Sequence, residues 1–110
     1  MKLKQLFESI PTSKEEVGAI LKKYGITNYV INEDLSVDVD GDVHLIDKKL
    51  KYLPVTFGKV RGNFNCPDNK LSSLQGAPRE VSGNFNCSHN KITSLDEIGN
   101  VGGQIFSDLT

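Results

Sequence analysis

The sequence predicts an α/β solenoid, with parallel strands built from 20–21-residue units and an N-terminal helical hairpin capping the stack. Two observations carry that expectation. Val60–Glu80 reads VRGNFNCPDNKLSSLQGAPRE and Val81–Asn100 reads VSGNFNCSHNKITSLDEIGN, identical at half of the aligned positions. The spacing of apolar residues also changes, from helix-like before Gly25 to alternating after Ile26. The chain reads as a single domain, 1–110. Residues 1–25 form the cap, 26–38 a strand and turn junction, and 39–110 three repeats with a truncated fourth.

In the cap, Leu3, Leu6, Phe7 and Ile10 recur at i, i+3, i+4 and i+7, which predicts a short amphipathic helix over residues 2–10, ended by Pro11. Thr12 and Ser13 are followed three residues later by Glu15 and Glu16, two overlapping capping boxes. The apolar stripe Val17, Ile20, Leu21 and Tyr24 defines the second helix, and Gly25 stops it. In the junction, Tyr29–Ile31 suits a strand and Asn32–Asp34 a turn. Leu35–Leu45 then predicts one long strand, with Val37, Val39, Gly41, Val43 and Leu45 on one side and Asp38, Asp40, Asp42 and His44 on the other.

Each repeat opens with an alternation of Phe64 and Cys66, or Phe85 and Cys87, against Asn63, Asn65, Asn84 and Asn86. Val39, Gly41, Lys49, Leu50 and Leu53 align with Val60, Gly62, Lys70, Leu71 and Leu74, so Val39–Lys59 is a more diverged copy; Val101, Gly103, Ile105 and Leu109 begin another. Stacked strands lie about 4.8 Å apart, which places Val43, Phe64, Phe85 and Ile105 in one inward column and Leu45, Cys66 and Cys87 in a second. The two cysteines then serve as small buried hydrophobes. Asn69 and Asn90 form a ladder inside the turn, bonding backbone groups that the corner leaves unpaired. Lys48 holds that slot in the first copy and cannot accept a bond, so an irregular first coil is expected. The connecting arcs, punctuated by Pro54, Gly58, Gly76, Pro78 and Gly99, predict extended or 3₁₀ segments.

The pattern F-x-C-x-x-N-x-L-x-x-L, carried by Phe64, Cys66, Asn69, Leu71 and Leu74 and again by Phe85, Cys87, Asn90, Ile92 and Leu95, resembles the leucine-rich repeat consensus, with units of the shortest type. The wording GNFNCxxNKLxSLxGAP is similar to that of small leucine-rich proteins of tailed phages. That resemblance implies a viral protein working inside a bacterial host.

Charge and motifs narrow the function. Thirteen basic and fourteen acidic side chains leave a formal net charge of −1, without the global footprint of a nucleic-acid or anionic-membrane binder. No apolar run approaches a signal peptide or a span of about 20 residues, so a cytoplasmic protein is expected. No Ser/His/Asp arrangement, phosphate-cradling glycine pattern or metal-ligand spacing is legible, which argues against an enzyme and against a cofactor or metal. Asp38, Asp40, Gly41 and Asp42 fail as a calcium loop, because the glycine follows the second Asp and Lys49 stands where a closing Glu is required. Cys87 and His89 lack the further ligands of a zinc site.

The expected function is therefore non-enzymatic protein binding. Outward strand positions define the candidate panel: Asp42, His44, Arg61, Asn63, Asn65, Asn84, Asn86 and Phe106, with Asp38 and Asp40 extending an acidic strip. Three roles follow: a module that binds and modulates a host protein, an acidic decoy for a nucleic-acid-binding site, or an assembly component. Ile105 and Leu109 in an unfinished unit also predict a homo-dimer through the C-terminal end. The aligned Lys49, Lys70 and Lys91 read as a solubilising row.

Overall fold

A computed structural model describes residues 11–109. The first helix expected of the hairpin, over residues 2–10, lies outside the described residues. The second is α1 (Lys14–Lys23). Its start follows from Ser13, whose Oγ accepts from the Glu16 N–H at 3.1 Å. Glu16 Oε1 in turn accepts from the Thr12 hydroxyl at 2.6 Å and the Thr12 N–H at 3.3 Å, closing a box one residue wider than the simple form. Gly25, at φ 70°, supplies the left-handed residue at the other end; its N–H bonds Lys22 O and that of Ile26 bonds Leu21 O, the double bond of a Schellman stop. Val17 and Leu21 are fully buried, so one face of the helix belongs to the core.

Among the described residues nine short strands follow: β1 (Tyr29–Ile31), β2 (Val37–Val39), β3 (Val43–His44), β4 (Phe57–Val60), β5 (Phe64–Asn65), β6 (Glu80–Val81), β7 (Phe85–Asn86), β8 (Asn100–Val101) and β9 (Ile105–Phe106). They form two sheets, ordered β1-β2-β4-β6-β8 and β3-β5-β7-β9. All pairs are parallel except β1 with β2. Val43 meets Phe64, Phe64 meets Phe85, and Phe85 meets Ile105, the 20- and 21-residue steps of the repeat. The architecture is a β-solenoid of roughly three turns with one described helix, measuring 36 × 32 × 22 Å.

The strand expected from Leu35 to Leu45 is two strands. Leu35, at φ 70°, is the left-handed residue of the β1–β2 hairpin loop, its N–H closing on Asn32 O. The chain then bends between Val39 and Val43, because β2 and β3 belong to different sheets. Each unit likewise contributes two strands where the alternation marked one. The second comes from the arcs, whose extended stretches pair as β4, β6 and β8.

The apolar columns meet as the stacking predicts. Phe64, Phe85, Cys66, Val43 and Leu45 are buried to within 1%, while Ile105 in the last rung is 37% exposed. Ring centroids lie 5.0 Å apart for Phe57 and Phe64, edge to face, and 5.2 Å for Phe64 and Phe85. Burial pushes the Cys87 thiol up to about 11, with the Asp108 charge adding to it, and pushes Cys66 higher still. Both cysteines are free thiols acting as core hydrophobes.

Candidate binding face

The panel residues fall into three rows, because each coil turns a corner between its two sheets. The outward row of the second sheet contains His44, Asn65, Asn86 and Phe106, paired rung to rung. Asn65 Nδ2 lies 3.3 Å from His44 Nδ1, and Asn86 Oδ1 accepts from the Ser88 hydroxyl at 2.6 Å and the Ser88 N–H at 3.1 Å. Phe106 is 43% exposed.

The corner row works differently. Asp42 Oδ1 accepts from Asn63 N–H at 2.7 Å, Asn63 Oδ1 from Asn84 N–H at 2.8 Å, and Asn84 Oδ1 from Gln104 N–H at 2.9 Å. Each side chain thus caps the backbone of the next coil, and its acceptor oxygen is committed to holding the stack. This explains the glycine before each of those N–H groups. A Cβ on Gly83 would collide with Asn63 Oδ1 and the Gly62 carbonyl, and one on Gly103 with Asn84 Oδ1. The sequence signal of the clamp is a glycine followed by a polar residue at one place in each unit, Gly41-Asp42, Gly62-Asn63, Gly83-Asn84 and Gly103-Gln104, which alternation alone does not single out.

The third row belongs to the first sheet. Asp38, half-buried on β2, accepts the Lys59 N–H at 2.8 Å, filling a bulge where Val37 pairs with Phe57 but Val39 with Val60. Asp40 is exposed, its N–H bonded to Asn28 O, and Arg61 N–H bonds Val39 O. The acidic strip is therefore divided: Asp38 and Asp42 each give one oxygen to the backbone, and Asp42 Oδ2 lies 3.9 Å from His44 Nε2.

The internal ladder forms as expected, with a larger reach. Asn69 Oδ1 accepts from Lys48 N–H at 2.9 Å and Leu50 N–H at 3.1 Å, while its Nδ2 donates to Leu45, Cys66 and Pro67 carbonyls. Asn90 Oδ1 accepts from Leu71 N–H and its Nδ2 donates to Cys66, Cys87 and Ser88 carbonyls. The Lys48 coil is held by the Asn of the next one, because each Asn bonds the coil before it as well as its own. The residue before this slot is left-handed in the first three coils, at Asp47, Asp68 and His89.

Among the described residues no group of three or more His, Cys, Asp or Glu side chains could hold a metal ion, and no helix is long and apolar enough to cross a membrane. Fold and face together define a small β-solenoid with an amide-lined outer sheet. Compared with protein-family models, curated proteins and solved structures, the chain finds no match in any of the three.

Proposed function

We propose that the chain is a non-enzymatic interaction module that holds a protein partner on the outward face of the second sheet. The observation that carries this reading is the in-register row His44, Asn65, Asn86 and Phe106, in which an exposed aromatic ring follows two amides. Amides donate and accept, and an exposed Phe beside them supplies an apolar anchor. Asn63, Asn84, Asp38 and Asp42 support the face from behind by tying coil to coil, with Arg61 and Asp40 at its margin. The spacing of Leu71, Leu74, Ile92 and Leu95 supports kinship with the shortest leucine-rich repeats. Similarity to small phage proteins of that type favours a host protein as the partner and the host cytoplasm as the place. The acidic-decoy reading is weaker, because two of its carboxylates are engaged with backbone N–H groups.

The test is a pull-down from bacterial lysate comparing the intact protein with an Asn65→Ala, Asn86→Ala, Phe106→Ala variant. These three positions leave the corner clamp and the Asn69 ladder in place. A partner captured by the intact protein and lost from the variant is expected. Equal capture by both would overturn the reading. Four rungs span only about 15 Å, less than a standard interface of roughly 800 Å² per partner needs, so contacts beyond this row are required.

A further inference from the structure

We infer that the protein has a second, basic binding cleft, between the C-terminal turn of α1 and the first corner of the solenoid, and that its ligand is an acidic peptide segment with an apolar anchor residue. The inference rests on the protein-binding reading and gives it a second contact site.

The cleft has a volume of about 360 Å³ and is walled by Lys23, Lys48, Lys49 and Lys51 together with Tyr24 and Tyr52. Among the described residues no acidic side chain lines it, so four lysines border one cleft in a chain whose net charge is −1. Among the described residues none of these four ammonium groups is in an ion pair; the described pairs are Lys14 with Glu33 and His44 with Asp42. The floor is aliphatic: Ile20 is half-buried, and Leu50 and Pro54 are buried.

The lysine run is held in shape rather than left as a loose loop. Asn69 Oδ1 binds the N–H groups of both Lys48 and Leu50, and Lys49 between them sits at φ 57°. The backbone carrying three of the four charges is therefore fixed by a buried side chain of the next coil, which lowers the ordering cost of binding.

Charge complementarity calls for an anion, and the floor decides which kind. Ile20, Leu50 and Pro54 offer an apolar seat that an aliphatic or aromatic side chain fills and that a sugar-phosphate backbone does not. A nucleic acid needs ring faces for stacking. The Lys23 ammonium lies 5.5 Å from the Tyr24 ring centroid and takes up one face of that ring, which leaves exposed Tyr52 as the one open ring among the described residues of the cleft, whereas a nucleic-acid strand stacks successive bases. An extended segment of Asp and Glu around one Leu or Phe satisfies walls and floor together.

The experiment follows backbone amide NMR shifts of the full chain on titration with three probes: a peptide of glutamates and aspartates around one central leucine, the same peptide with serine for leucine, and an oligothymidylate of similar length. The leucine peptide is expected to move the amides of Ile20–Tyr24 and Lys48–Pro54. It should bind about tenfold more weakly when ionic strength rises from low to physiological and beyond, and about fivefold more tightly than the serine peptide. Lys48→Glu with Lys51→Glu should abolish the shifts, whereas the Asn65, Asn86 and Phe106 variant should keep them. The inference is overturned if the peptide leaves these amides unmoved, as it would if another part of the chain filled the cleft. Shifts confined to the outer sheet, or tighter binding of the oligothymidylate, also overturn it. The two readings fail separately. A partner lost from the row variant while the peptide does not bind leaves the outer face standing and removes the cleft.

Discussion

Asn69 is 8% exposed and makes five hydrogen bonds, all to backbone, in a region where no described buried side-chain N or O lacks a partner. Asn69→Ala strands two N–H donors and at least one buried carbonyl; at roughly 1–3 kcal/mol per orphaned group, a loss of about 3 kcal/mol or more is expected in urea denaturation. Asn90→Ala, at a half-buried site, should cost clearly less. Equal losses would mean that burial does not set the cost. A second prediction at this scale concerns acid. The Ser36 hydroxyl, then its N–H, and more weakly Arg79, hold the Asp34 carboxyl below its ordinary value of 3.8. A carboxyl depressed by folding stabilises fully above its unfolded value and loses that contribution as pH falls through the folded one. Asp34→Asn keeps an acceptor but cannot titrate, so stability measured between pH 5 and about 2 should decline less steeply than in the intact protein.

At the scale of elements, α1 illustrates how local and tertiary terms divide. Its stop signals are chemical and local, Ser13 at one end and Gly25 at the other, and Ser13→Ala should cost about 1 kcal/mol. Its attachment to the stack depends on Val17 and Leu21, both fully buried, and Leu21→Ala should cost roughly 2–5 kcal/mol. Thermal unfolding of the two variants separates the contributions; a Leu21→Ala loss no larger than that of Ser13→Ala would show that the helix is not packed as described. The strands are two to four residues long, too short to be stable alone. They persist because the inner rungs lie between others and the coils are pinned at two corners, by the Asn69–Asn90 ladder inside and the Asp42–Asn63–Asn84 clamp outside.

For the whole molecule, continuity of the core through successive coils governs access to its interior. Cys66 lies beneath more of the stack than Cys87, and both thiols are raised by burial. A thiol reagent at mildly alkaline pH should therefore react slowly with both in the folded protein. Cys87 should react first as the last coil opens, and Cys66 at the rate of global unfolding. Rapid reaction of both at native conditions would contradict the stacked arrangement. The same geometry makes Phe64 a central loss, since its ring contacts both Phe57 and Phe85.

How far the sequence reaches depends on the range of the forces involved. Stacking register, column membership and the Asn ladder were legible, because a duplicated segment must place its equivalent residues as vertical neighbours, as Phe64 and Phe85 are. The helix stops were legible for the same reason of locality. The break at Gly41, the second strand in each unit and the diversion of Asn63 and Asn84 from the outer face to the corner clamp were not. They depend on which sheet each half-coil joins, and that follows from packing around a shared core rather than from alternation along the chain. The basic cleft lay beyond reach for a further reason. Lys23 and Tyr24 are far in sequence from Lys48–Tyr52, and only the docking of α1 on the first coil brings charges from both segments together.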